Sequence, residues 1–191
     1  MTFRIAIVGA TGAVGKKLLS TILERKFPFS KIYLLASEKS VGKKISYHDK
    51  EYNVEDLSTF DFSKVDIAFF SAGSSISAKF ALKAEENNCF VIDNTSQFRM
   101  DNDIPLIIPE INEYELDSMK RKIISNPNCS TIQMLVALNP IHSINRIKKV
   151  IVSTYQSVSG AGLSAMNELT QQSIKILNNE KIETKNFPKQ I

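Results

Sequence analysis

Cys129 stands between Asn128 and Ser130 in the run NPNCST, residues 126–131, at the head of an apolar stretch with helical spacing. A cysteine in the first turn of a helix meets unpaired backbone amides and the positive end of the helix dipole, which favour a thiolate. Cys129 is therefore a candidate nucleophile. Cys89 differs, because it opens the short apolar run 89–92, where a cysteine ordinarily serves as a small core residue.

A second run with chemical content lies near the start. Residues 9–15 read GATGAVG, after an apolar strand-like segment and at the mouth of a helical pattern. In that context Gly9 permits a tight turn, Gly12 lets the backbone approach a pyrophosphate, and Gly15 lets the helix pack on the strand. The amides of residues 11–14, Thr11 to Val14 with Ala13 between, then face the phosphates. The spacing is GxxGxxG and not GxGxxG, so its context carries more weight than its letters.

Cofactor choice is read about 20 residues further on, where an acidic side chain would hold the ribose of NAD. The residues there are Ser37, Glu38, Lys39 and Ser40. Hydroxyl donors and a cation suit a 2′-phosphate, which favours NADP, while an inward Glu38 would oppose it. A thiolate beside a nicotinamide suggests attack on an aldehyde, hydride transfer from the thiohemiacetal, and an acyl thioester that phosphate or water resolves.

These residues need elements to position them. Strand-like runs fall at 3–9, 31–36, 65–71 and 90–93, helical patterns at 13–23 and 76–86, and a hairpin at 45–54 turning at residues 48–50. The alternation predicts an α/β fold with a doubly wound parallel sheet. Beyond it, a short helix is expected near 112–120, the nucleophile helix from 128–130, a strand of β-branched residues at 148–155, and a helix at 163–177. The stretch 178–191 is polar and carries no further element.

The protein has 191 residues, 43% of them hydrophobic, enough for one core. Its formal charge of +4 comes from 24 Lys+Arg against 20 Asp+Glu, spread without a basic block, which argues against nucleic acid as a partner. No run of about 18 apolar residues occurs that would span a bilayer, and the start shows no signal peptide. With only two cysteines, a disulfide framework is not expected and a reduced, cytoplasmic location is.

Taken together, GATGAVG at 9–15, FSAGSS at 70–75, DNTSQFR at 93–99, NPNCST at 126–131 and STYQSVSGAG at 153–162 resemble the bacterial aspartate-semialdehyde dehydrogenases, over nearly the whole chain and in matching order. The resemblance implies a Rossmann-like sheet followed by the start of an α+β catalytic domain. It makes Cys129 the acyl-thioester nucleophile and gives Gln156 the orientation of substrate. Arg99 would bind the phosphate that enters or leaves, and Asn128 would help to position substrate or phosphate. It places Thr11 to Val14, Lys39, Ser40, Ser71, Ala72, Gly73, Ser159 and Gly160 along an NADP site. Lys39 stands where most members have arginine.

On the same ground residues 1–128 are expected to form the NADP-binding domain and 129–191 an incomplete N-terminal part of the catalytic and dimerisation domain. The family's general-base histidine and substrate-carboxylate arginine would follow Ile191, so this chain alone is expected to turn over little. The expected partners are a small-molecule substrate and phosphate, with a homodimer for the full-length family. His48 and His142 are read as solvated loop residues. Two other readings stay open, a non-catalytic NADP-binding remnant and a related N-acetyl-glutamyl-phosphate reductase, although NPNCST argues against the second.

Overall fold

The structure is a computed structural model that describes residues 2–191. Its organising strand is β1 (Phe3–Val8), in which Ile5, Ala6, Ile7 and Val8 are all fully buried. A strand buried on both faces needs apolar residues at every position, in contrast to the alternation of a half-solvated strand. Ile5 and Ile7 point into one core with Leu19 and Ile22 of α1 (Ala13–Glu24). Ala6 and Val8 point into the other, with Phe70, Phe80, Ala84 and Val91. Each large aliphatic or aromatic side chain so buried contributes about 1.5–3 kcal/mol.

The remaining strands are β2 (Phe29–Ala36), β3 (Lys44–Tyr47), β4 (Lys50–Asp56), β5 (Ile67–Phe70), β6 (Phe90–Asp93) and β7 (Ile123–Ser125). They form one seven-stranded sheet in the order β3-β4-β2-β1-β5-β6-β7. All neighbours are parallel except β3 and β4, the hairpin, whose turn uses His48 at φ 49°. The chain leaves β1 toward β2 on one side and returns through β4 to β5 on the other. The order therefore switches between β1 and β5, where an open α/β sheet forms its ligand crevice at the carboxyl ends of the strands.

Helix α2 (Ser74–Glu86) follows β5 and packs on β5 and β6. Glu85 near its end accepts from the Arg121 side chain and from the Lys122 main-chain N–H at 2.8 Å, tying α2 to the start of β7. The expected helix at 112–120 is instead one α turn, α3 (Pro109–Asn112), running into a 3₁₀ turn, Glu113–Ser118. It starts early because Pro109 is preset for the first helical position. β7 has three residues, too few for a sequence period, and was not expected.

Helix α4 (Cys129–Ile144) follows β7 and continues through Pro140. His142 lies in its last turn, exposed, with Nδ1 accepting from the Ile147 N–H at 3.2 Å. That corrects its expected place in a loop, since the apolar pattern does not stop at the proline. The expected strand at 148–155 is absent: these residues are irregular, with Ile151 and Tyr155 exposed. β-branched composition makes a strand only where a neighbour supplies ladder bonds, and none among the described residues pairs with this stretch.

The chain divides into two compact units, Met1–Val150 and Ile151–Ile191. The second holds a 3₁₀ turn, Val158–Ala161, and helix α5 (Leu163–Leu177). Within it the buried Glu168 carboxylate accepts from the main-chain N–H groups of Lys185 and Asn186, at 2.8 and 2.7 Å, and Gln172 Oε1 accepts from Ile191 N. These bonds lay the polar 183–191 stretch along α5. The Lys185 N–H leads the donors that hold the Glu168 carboxyl below its ordinary range.

Candidate functional site

The glycine turn leaves β1 at its carboxyl end. Gly9 and Ala10 donate N–H bonds to the Leu35 oxygen at 2.9 and 3.1 Å, and Gly12 N–H closes on the Gly9 oxygen at 3.0 Å. Gly9 sits at φ +87°, where an L side chain is strained, and a Cβ there would press on the Ala72 backbone at 3.0 Å. A Cβ on Gly15 would overlap the Gly9 carbonyl oxygen. These two glycines let the turn after β1, the loop after β5 and the first turn of α1 close on one another.

Gly12 is the N-cap of α1, with no side chain bonding the helix end and no acidic residue in the first turn. Thr11, Gly12 and Ala13 are half-buried and Val14 is exposed. A helix start left open in this way, beside a turn that a Cβ would fill, fits a pyrophosphate. Ser71 donates both its N–H and its hydroxyl to the Val8 oxygen, at 3.0 and 3.1 Å, and Ala72 and Gly73 continue the loop into α2. At the end of β2, Ser37 N-caps a 3₁₀ turn, Glu38–Ser40. Lys39 is exposed and Ser40 half-buried there.

Farther along the same edge, the loop after β6 carries Arg99. Its Nε donates to the Asn126 oxygen and its Nη2 to the Asn94 oxygen, each at 3.0 Å. Arg99 is half-buried, and among the described residues no carboxylate lies within ion-pair distance of it. A cation held only by carbonyls keeps its charge and its Nη1 edge for an anion. Apart from the family resemblance, the sequence favours reading Arg99 as a loose surface cation; the carbonyl pair makes it a fixed one.

After β7, Asn128 N-caps α4, its Oδ1 accepting from the Ser130 N–H at 3.0 Å. The next residue is Cys129, exposed, its Sγ 4.0 Å from Asn128 Oδ1. β7 lies three strands from β1, about 14 Å at the usual strand spacing, so the thiol and the glycine turn share one edge of the sheet. Cys89 is fully buried, and desolvation leads the causes that push its thiol up to about 12.

The first unit thus brings Gly9, Thr11, Gly12, Ala13, Val14, Ser37, Lys39, Ser40, Ser71, Ala72, Gly73, Arg99, Asn128 and Cys129 to the carboxyl edge of one sheet. In the second unit Gln156 is exposed in irregular chain, Ser159 lies in the 3₁₀ turn with its hydroxyl 2.7 Å from that of Ser157, and Gly160 follows it. Sequence reading passed over Asp93, Ser77, Asn94 and Asn126, which hold the loop around Arg99. Only the placement of an aspartate at the end of the apolar run FVID marked any of them.

Residues 4–119 match the NAD-binding domain of the semialdehyde dehydrogenases, and residues 138–191 match their dimerisation domain. The chain belongs to the semialdehyde dehydrogenase family. It is 50% identical over 190 residues to an aspartate-semialdehyde dehydrogenase of Shewanella violacea, covering 99% of this chain and 56% of that one. It is 51% identical to aspartate-semialdehyde dehydrogenase 2 of Vibrio cholerae, with the same coverage of each chain. A crystal structure of Vibrio cholerae aspartate semialdehyde dehydrogenase II complexed with ASA superposes with a TM-score of 0.94 at 50% identity, covering 100% of this chain and 57% of that one.

This semialdehyde dehydrogenase chain therefore spans little more than half the length of the relatives it matches. Its first unit is a Rossmann-like domain of the kind that binds a nicotinamide dinucleotide. Among the described residues no helix is long and apolar enough to cross a membrane.

Proposed function

We propose that this chain carries the nucleotide-binding and nucleophile-bearing part of an NADP-dependent aspartate-semialdehyde dehydrogenase, which converts L-aspartyl-4-phosphate to L-aspartate 4-semialdehyde in amino-acid biosynthesis. The observation that carries the reading is Cys129, exposed at the first turn of α4 on the same sheet edge as the uncapped, glycine-built start of α1. Relatives about half identical to it bear the name aspartate-semialdehyde dehydrogenase.

The Cys129 thiolate attacks the acyl carbon of the bound aspartyl phosphate, the bond between that carbon and the bridging phosphate oxygen breaks, and inorganic phosphate departs toward Arg99. Asn128 holds the first turn of α4, and with it the thiol, in place. NADPH, when bound, supplies the hydride that reduces the resulting thioester. Residues 9–14 with Gly9, Gly12 and Val14 take its pyrophosphate, Ser37, Lys39 and Ser40 its 2′-phosphate, and Ser71 to Gly73 the adjoining part. On the family resemblance Gln156 is assigned to the substrate, and Ser159 and Gly160 to the cofactor. The setting is a reduced cytoplasm. For the whole protein the reading includes a homodimer, supported by the match of 138–191 to the family's dimerisation domain.

Neither histidine suits proton transfer at Cys129. His48 lies in the hairpin turn, and His142 is about 20 Å along α4 from the nucleophile. A polypeptide of these 191 residues therefore acylates once and does not cycle. Single-turnover release of inorganic phosphate from L-aspartyl-4-phosphate, one per folded chain and absent in Cys129→Ser, is the expected result. Its absence from a sample that binds NADPH, or sustained phosphate-dependent reduction of NADP by the same sample with L-aspartate semialdehyde, would contradict this account.

A further inference from the structure

We infer that Asp93 is a positioning residue for Arg99, setting the guanidinium that receives phosphate; the inference rests on that reading of Arg99. Asp93 ends β6 and is fully buried. Its Oδ1 accepts from the Ser77 hydroxyl of α2 at 2.8 Å and from the Thr95 N–H at 3.0 Å. Its Oδ2 accepts from the Thr95 hydroxyl at 2.8 Å, and that hydroxyl oxygen in turn accepts from the Gln97 N–H at 3.2 Å. Its main-chain oxygen accepts from the Asn126 N–H at 2.8 Å.

One residue is thereby bonded to α2, to the 94–99 loop and to the segment that leads into Cys129. The two oxygens that hold Arg99 belong to Asn94, the residue after Asp93, and to Asn126, whose own N–H is bonded to Asp93. Among the described residues no carboxylate lies within ion-pair distance of Arg99, and these two carbonyls are what orient it. The side chains of Asn94 and Asn126 also bond to each other, so the carbonyls move as a pair.

A buried carboxylate with no ion-pair partner among the described residues is an expensive way to staple a loop. Ser125, across from Asp93 in the β6–β7 pair, has a buried hydroxyl without a hydrogen-bond partner among the described residues and contributes nothing to the staple. What the carboxylate offers beyond a neutral acceptor is three strong bonds on two oxygens, enough to fix the loop turn that presents Asn94. Asp93→Asn turns one of those acceptors into a donor facing Thr95. Thr95→Val removes the hydroxyl that links Asp93 to Gln97.

The test is the side-chain Nε–H resonance of Arg99 in ¹⁵N-labelled full chain, identified by its loss in Arg99→Lys. In the wild-type protein this proton exchanges slowly, as a hydrogen-bonded group does. In Asp93→Asn and Thr95→Val it moves toward the exposed arginines and exchanges fast, while the backbone amides of β1 and β5 and the NADPH titration stay as in wild type. Inorganic phosphate shifts the wild-type signal, and both variants need about tenfold more phosphate for the same shift, the worth of one charged hydrogen bond.

The inference is overturned if the Arg99 signal is unchanged in both variants, if it changes only together with the strand amides, or if the wild-type proton already exchanges as fast as exposed arginines. Should Asp93→Asn not fold, Thr95→Val decides alone. A wild-type signal that ignores phosphate would sink the anion reading of Arg99, whereas the exchange data would still decide whether Asp93 positions it.

Discussion

Arg99 Nε meets the main-chain oxygen of Asn126 at 3.0 Å, coupling the loop after β6 to the segment that delivers Asn128 and Cys129. A lysine at this position has neither the planar fork nor the reach to hold both carbonyls while keeping an edge for an anion. Arg99→Lys is expected to weaken inorganic phosphate binding by about 1.5–3 kcal/mol, with NADPH affinity retained. Calorimetric titration of phosphate into both proteins checks this, and equal affinities would remove Arg99 from the site.

The two thiols should part company under alkylation. Cys129 is exposed, whereas Cys89 lies in the core with its thiol pushed up to about 12 and so stays protonated and shielded at neutral pH. Iodoacetamide is expected to label Cys129 alone in the native protein and both residues after denaturation. Peptide mapping after a short exposure reads the outcome; native labelling of Cys89 would show that the α2 face of the sheet is not closed.

Much of this was legible beforehand because it depends on short-range signals. The run FRIAIVGATGAVG names a buried strand, a tight turn and a helix within a few residues, and the hairpin turned where His48 takes a positive φ. The 148–155 segment misled because β-branched residues specify a strand only in company. β7 escaped because three residues hold no period. Of the two bonds that fix Arg99, the one to Asn94 spans five residues but the one to Asn126 spans 27, and the Ser77–Asp93 bond spans 16, so no local pattern could announce the last two.

Gly15 tests the nucleotide turn without touching chemistry. Its missing Cβ is what allows α1 to approach the Gly9 carbonyl. Gly15→Ala forces backbone apart in a packed region and should cost about 3 kcal/mol, or about 10 °C in Tm, with NADPH binding lost in parallel. Thermal melts with and without NADPH measure both effects. An alanine variant as stable as wild type would mean that the turn is looser than its packing implies.

Glu85 gives a pH dependence with a definite sign. The Arg121 side chain is the main cause holding its carboxyl below the ordinary value of 4.5, and the Glu85 side chain is only 17% exposed, so water screens the pair incompletely. A group whose folded pKa is depressed adds stability above its unfolded pKa and loses it as pH falls through the folded one. Glu85→Gln should therefore cost about 1–2 kcal/mol at neutral pH, the gap closing below about pH 4.5. Urea unfolding across that range checks it; a gap that widens on acidification would contradict the assignment.

In this mechanism Cys129 forms the acyl bond. Intact-mass analysis and peptide mapping after mixing the protein with L-aspartyl-4-phosphate, without cofactor, test it most directly. The expected result is a gain of one aspartyl group confined to Cys129, removed by hydroxylamine and absent in Cys129→Ser. A folded, NADPH-binding sample that shows no adduct, or carries it on another residue, would contradict it.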